Sequence, residues 1–167
     1  GTSMSNLGLE IALREQGIGF RRAGVGDRYV LAMLKEVGGV LGGETSGHII
    51  CLDRTTTGDA LIAALQVLAV MRRTGQTLAQ LAAAMPKFPQ VMRNVQVARR
   101  FEPMARPEIA AAVAAAERQL GSDGRVVLRP SGTEPLIRVM VEGRDAAQTA
   151  ACAEHIAAAV QAAAAAG

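Results

Sequence analysis

The sequence predicts an α/β protein of two domains, an α/β domain over residues 1–88 and a small α+β domain over residues 89–167. Three observations carry that reading. Apolar residues recur at helical spacing, as at Leu61, Ala64, Leu65, Leu68 and Met71, in segments separated by short apolar runs of strand length. Pro86, Pro89, Pro103 and Pro107 punctuate the middle of the chain and set a domain junction within residues 86–92. Beyond the junction the segments read strand, helix, strand, strand, helix. That order makes a small sheet with both helices free to cover one face.

Each element has a local cause. Asn6 caps a first helix, Asn6 to Gln16, and Gly17 stops it. Ile18 to Val25 reads as a short strand ending at Gly24 and Gly26. Asp27 caps a second helix, Arg28 to Val37, closed by Gly38-Gly39. Val40-Leu41 and His48 to Leu52 read as strands on either side of a polar run. Thr57 or Asp59 opens the long helix Ala60 to Arg73, which Gly75 ends, and its apolar stripe is expected in the core. Leu78 to Met85 makes one more short helix. The second domain then reads strand (Val91 to Ala98), helix (Pro107 to Leu120), strand (Arg125 to Leu128), strand (Leu136 to Glu142) and helix (Asp145 to Ala165). Pro107 stands in the first turn of its helix, where a missing N–H costs nothing.

Composition narrows the partners. Half the residues are apolar, yet only Phe20, Tyr29, Phe88 and Phe101 are aromatic, so the core is built from Ala, Val, Leu, Ile and Met. The net charge of +3 is modest. A nucleic-acid binder would carry a basic stripe or stacking aromatics, whereas Arg21-Arg22, Arg72-Arg73 and Arg99-Arg100 are isolated pairs, read as solvated charge or helix C-terminal compensation. No nucleic acid is expected as a partner. Cys51 and Cys152 lie in apolar contexts far apart, as reduced thiols of a cytoplasmic protein do. Gly1 to Asn6 lacks the regions of a signal peptide. The Ala-rich stretch 146–166 is interrupted by Gln148, Glu154, His155 and Gln161, so it reads as an amphipathic helix and no membrane is expected as a partner.

Two polar runs carry the chemistry. Arg129-Pro130-Ser131-Gly132-Thr133-Glu134-Pro135 lies between two strand segments. Arg supplies a planar fork matched to phosphate oxygens, the hydroxyls add rotatable donors, and Gly lets backbone N–H groups converge. Pro130 and Pro135 stiffen both ends. The plain alternative, ordinary turn residues beside a surface arginine, stays open on composition alone. The second run is Gly42-Gly43-Glu44-Thr45-Ser46-Gly47-His48, which displays a carboxylate, a hydroxyl and an imidazole suited to sugar hydroxyls. It is not a nucleotide P-loop, because His48 and Ile49 stand where Lys and Ser or Thr are needed.

Together the two runs resemble loops of the α-D-phosphohexomutases. Gly43 to His48 is similar to that family's sugar-recognition loop, and Arg129 to Pro135 to the phosphate-binding loop of its last domain. The runs Met4-Ser5-Asn6-Leu7-Gly8-Leu9-Glu10, Gly26-Asp27-Arg28-Tyr29-Val30, Thr55-Thr56-Thr57-Gly58-Asp59 and Leu136 to Gly143 narrow the resemblance to the bacterial phosphoglucosamine mutase branch. It spans the whole chain. Family members have four domains, and the resemblance implies most of the third, a partial α/β domain, followed by the fourth, a TBP-like α+β domain. The family's phosphoserine loop and its Asp-x-Asp-x-Asp magnesium loop have no counterpart. Asp27, Asp53, Asp59, Asp123 and Asp145 are scattered, so no metal ligand and no catalytic residue is assigned. Mg2+ is expected only in the full-length enzyme. The chain, which starts at Gly1 inside the family pattern, is expected to be a fragment that binds without catalysing.

The implied activity is reversible phosphate migration between the 6- and 1-positions of glucosamine. It runs through a phosphoserine enzyme and a bisphosphate, towards UDP-N-acetylglucosamine and the cell wall. On this resemblance Arg129, Ser131, Gly132 and Thr133, with Arg138 beside them, hold the phosphate that is not reacting. Glu44 and Ser46 read ring hydroxyls, His48 contacts the substrate, and Arg28 lines the same cleft. The partners implied are a hexosamine phosphate and the missing N-terminal domains. Three alternatives remain: a phosphomannomutase or phosphoglucomutase fragment, a non-catalytic sugar-phosphate-binding module, and an assembly piece whose Ala-rich helix contributes to a homodimer.

Overall fold

The computed structural model describes residues 1–132 and 134–165. The chain divides into two compact units, Gly1–Pro86 and Lys87–Gly167.

In the first unit, helix α1 (Leu7–Glu15) starts where the Asn6 side chain accepts the Gly8 N–H, and it buries Leu7, Ile11 and Ala12. Arg22 ties α1 down by donating to the Glu10 carboxylate and to the carbonyls of Thr2 and Ser5. The expected strand Ile18 to Val25 does not form. Ala23 makes one isolated parallel bridge to Thr2, and Ile18 and Val25 stay exposed. A strand needs a partner along its length, and here pairing stops after one bridge. Helix α2 (Asp27–Val37) is capped by Gly26, with Asp27 in its first turn rather than at the cap. Strands β1 (Leu41–Gly43) and β2 (Ile49–Cys51) form an antiparallel hairpin in which Gly42 faces Ile50. Ala23, Val30, Leu34 and Ile50 make the core between α2 and this hairpin.

Helix α3 (Ala60–Thr74) begins at Asp59, whose side chain accepts the Ile62 N–H, and ends at left-handed Gly75. Its stripe is not core. Leu61, Leu65 and Leu68 are 77%, 57% and 57% exposed, and only Ala63 is buried. The reason is area: two three-residue strands cannot cover a 15-residue helix. Helix α4 (Leu78–Ala82) opens on a Thr77/Gln80 capping box and ends before the Met85 expected from sequence.

The second unit is a three-stranded antiparallel sheet in the order β3-β5-β4, from β3 (Gln90–Gln96), β4 (Gly124–Pro130) and β5 (Leu136–Gly143). Helices α5 (Pro107–Leu120) and α6 (Ala146–Ala165) lie on one face. Alternation along the strands sends Val95, Ile137, Val139 and Val141 to that face, against Ile109, Val113 and Ala116 of α5 and Ala153, Ile156 and Val160 of α6. Each fully buried aliphatic side chain contributes about 1.5–3 kcal/mol. The other face carries rows across three strands: Gln90, Glu142 and Arg125; Met92, Met140 and Val127; Asn94, Arg138 and Arg129. Glu142 is fully buried and is satisfied by Arg125 and Gln90. Among the described residues no helix is long and apolar enough to cross a membrane.

Candidate functional site

The first candidate site is the hairpin joining β4 to β5. Pairing brings Arg129 directly opposite Arg138. Side chains so placed share a face with Cβ atoms roughly 5 Å apart, and like charges there repel. Neither cation is well answered. No hydrogen-bond partner of the Arg129 guanidinium is seen among the described residues. One Arg138 nitrogen reaches Glu134 at 3.4 Å, while its Nε is buried with no partner. Ser131 is 3% exposed, donates its N–H to the Leu136 carbonyl at 2.8 Å, and accepts the Glu134 N–H at 3.3 Å. Its hydroxyl proton is therefore still available to a ligand. The space above Gly132 is open. Thr133, expected in the same site, lies outside the described residues. Two convergent guanidiniums, a hydroxyl and open backbone can surround a dianion.

Asn94 was not anticipated from the sequence. It faces Arg138 from β3 and completes the row that ends at Arg129. Only the pairing register reveals it, because a one-residue slip would turn Asn94 to the opposite face.

The second candidate site is the turn between β1 and β2. Gly47 N–H donates to the Glu44 carbonyl at 3.1 Å and Glu44 N–H to the His48 carbonyl at 3.1 Å. Gly47 takes φ +97, a conformation that side chains resist. The turn folds three polar groups onto one another: Glu44 Oε1 lies 2.8 Å from Ser46 Oγ and 3.0 Å from His48 Nδ1, and those two atoms are 2.8 Å apart. A hydroxyl has one proton, and here it goes to Glu44. His48 then donates from Nδ1, and in the neutral ring Nε2 is left as an acceptor; the side chain is 57% exposed. Glu44 itself is only 9% exposed. The Ser46 hydroxyl holds its carboxyl below the ordinary value of 4.5 against the opposing effect of burial, and the His48 and Gly26 hydrogen bonds pull the same way.

The Gly26 link also places Arg28. Gly26, at φ +124, donates its N–H to Glu44 Oε2 at 3.1 Å, so the turn that starts α2 is joined to the polar hairpin. The Arg28 guanidinium is engaged elsewhere, donating to the Tyr29 hydroxyl and lying 4.5 Å from the centre of its ring. Among the described residues no three His, Cys, Asp or Glu side chains come together to hold a metal, so the residues present do not fit a magnesium site.

Residues 1–88 match the family model of the phosphoglucomutase/phosphomannomutase alpha/beta/alpha domain III, and residues 92–159 match that of the phosphoglucomutase/phosphomannomutase C-terminal domain. The phosphoglucosamine mutase of Thioalkalivibrio sulfidiphilus is 57% identical over 164 residues, covering 96% of this chain and 36% of that protein. That of Halorhodospira halophila is 58% identical, covering 98% of this chain and 36% of that protein. The chain thus spans 36% of the length of these curated relatives. Among solved structures, an Aspergillus fumigatus N-acetylphosphoglucosamine mutase shares the fold with a TM-score of 0.83 at 20% identity, over 98% of this chain and 38% of that one. Another structure of that enzyme, in complex with GlcNAc-6P and magnesium, aligns at 27% identity and a TM-score of 0.56 over 65% of this chain and 22% of that one.

Proposed function

Because the chain belongs to the phosphoglucomutase/phosphomannomutase family, matching its third and C-terminal domains, we propose that it is the substrate-binding portion of a phosphoglucosamine mutase. The longer enzyme would interconvert glucosamine 6-phosphate and glucosamine 1-phosphate. The observation that carries this reading is the cross-strand pair Arg129/Arg138 beside the Ser131 hydroxyl, whose proton has no acceptor among the described residues, a cluster of donors with too few acceptors there. A sugar phosphate supplies those acceptors. The amino sugar is argued from the names of the relatives, which cover nearly all of this chain.

Each unit has its own task in this proposal. The hairpin of the second unit, Arg129, Ser131, Gly132 and Thr133 with Arg138, takes the phosphate that is not reacting. The hairpin of the first unit, Glu44, Ser46 and His48, takes sugar hydroxyls. Its Glu44 carboxylate accepts from them and, in the neutral ring, His48 Nε2 is the acceptor beside it. Arg28 would join only by leaving Tyr29. Remote binding of the idle phosphate places the reacting oxygen, which is how binding energy becomes rate. Phosphoryl transfer and magnesium belong to the rest of the longer protein, so the chain by itself would bind without turnover. Free, buried Cys51 and Cys152 suit a reducing cytoplasm.

Heteronuclear NMR of the chain titrated with glucosamine 6-phosphate tests the proposal, with glucose 6-phosphate and inorganic phosphate as comparisons. Saturable shifts at the backbone amides of Ser131 to Glu134 and Glu44 to His48 are expected, larger with the amino sugar. A spectrum unmoved at both loops would remove the assignment of these residues to the site.

A further inference from the structure

The connection from β3 to α5 carries a second cationic feature, at the sheet end that holds the hairpin, where Val97 donates its N–H to the Pro135 carbonyl at 2.9 Å. A cavity of about 390 Å³ lies there, lined by Arg99, Arg100, Phe101 and Arg106 with Ala163 and Ala164 of α6. That volume suits a small ligand. One wall is fixed, while Arg99 and Arg100 are exposed. Phe101 packs against the core of its unit, Pro103 is buried, and the Arg106 guanidinium stacks 5.5 Å from the centre of the Phe101 ring.

Elsewhere in the same unit Arg93 meets Glu154, Arg125 meets Glu142, Arg138 meets Glu134 and Arg144 meets Asp123, while Arg118 and Arg129 meet no acid among the described residues. Around this cavity no arginine does. Among the described residues the side chains of Arg99, Arg100 and Arg106 make no hydrogen bond and no ion pair, either to Glu102 and Glu108 nearby in sequence or to the carbonyls near the end of α6. Compensation of the α6 dipole therefore does not account for them through direct contacts. Three unanswered guanidiniums around one cavity repel each other, and a multiply charged anion relieves that repulsion with charge-assisted hydrogen bonds.

We propose that this cavity is a second anion site, distinct from the 131–135 hairpin, which takes a small phosphate ester bearing at least two negative charges. The charged head lies among the three guanidiniums. The uncharged part lies against Phe101, Ala163 and Ala164. This site stands whether or not the hairpin binds a sugar phosphate.

The test is an NMR titration of the whole chain with inorganic pyrophosphate at physiological salt, in the parent and in Arg129→Ala. Saturable shifts are expected at the amides of Ala98 to Phe101, at Arg106 and at Ala163 to Ala165, with the same midpoint in both proteins. The double variant R99Q/R100Q, altered only at exposed positions, should weaken that binding about tenfold or more. Arg106→Gln is expected to act in the same direction. Shifts confined to residues 129–138, shifts at 98–106 that grow without saturating, or parental affinity in the double variant would each overturn the proposal.

Discussion

Among the described residues Arg129 has no acceptor of its own, and it faces a like charge, so a structural role would leave it a net cost. That gives Arg129→Ala an unusual signature. Binding of glucosamine 6-phosphate should weaken by about 1.5–3 kcal/mol, the range for a hydrogen bond to a charged group. Thermal stability should hold or rise by a few tenths of a kcal/mol. Calorimetric titration and a melting curve on the same variant check both halves, and unchanged affinity would take Arg129 out of the site. Glu44 is read through pH instead. Its folded carboxyl titrates below 4.5, held there first by Ser46, so the ionised form is favoured by folding. The resulting stabilisation is fully present above about 4.5 and is lost as pH falls through the lower folded value. Glu44→Gln should therefore flatten the acid limb of the stability curve and leave it unaltered near neutrality in slope. An acid limb as steep as that of the parent would show that other carboxylates set it. The two polar runs and their places between strands were legible in the sequence, whereas composition alone left ordinary turn residues as an alternative to a binding role. The Gly26–Glu44 bond and the Asn94–Arg138–Arg129 row were not legible, since both depend on pairing between distant segments.

Elements were readable wherever a local signal closed them. Pro107 at the first turn and Gly121 after Leu120 delimit α5, and Asp59 and Gly75 delimit α3. Failures came where tertiary area decided the outcome. The apolar pattern at residues 18–25 was right for a strand, but pairing stops after the Thr2–Ala23 bridge. The helical stripe on α3 was right for a helix and wrong for a core, because β1 and β2 offer too little surface to bury it. This contrast is measurable within one unit. Leu65→Gln, on the uncovered stripe, should change unfolding stability by no more than about 0.5 kcal/mol. Ile50→Ala, 1% exposed in the core between α2 and β2, should cost about 2–5 kcal/mol. Denaturant titrations of the two variants decide it, and a large loss from Leu65→Gln would mean that the stripe is packed after all.

At the scale of the whole molecule the two units differ in what holds them. Among the described residues fifteen buried ones form the core of the second unit, against four in the cluster between α2 and the hairpin of the first. Strand β5 is hydrogen-bonded on both edges and carries Ile137, Val139 and Val141 with no exposure at all, whereas β1 and β2 pair with each other over three residues and gain one further bridge, from Ile50 to Gly58. Opening β1–β2 therefore exposes little apolar surface, while opening β5 dismantles the larger core. Native-state hydrogen exchange should reflect that difference. Amides of Val139 and Val141 should exchange at least about a hundredfold more slowly than those of the β1–β2 hairpin, a gap of roughly 3 kcal/mol in opening free energy. The same asymmetry bears on the two candidate sites. The phosphate hairpin is mounted on the ends of β4 and β5 and should hold its donors preorganised before any ligand arrives. The sugar hairpin is held by its own turn and by the Gly26–Glu44 link, so ligand binding should slow exchange of the Gly26 and Glu44 to His48 amides while leaving β5 unchanged. Equal protection of both hairpins in the free protein would contradict this, because it would require support for β1–β2 beyond the four-residue core.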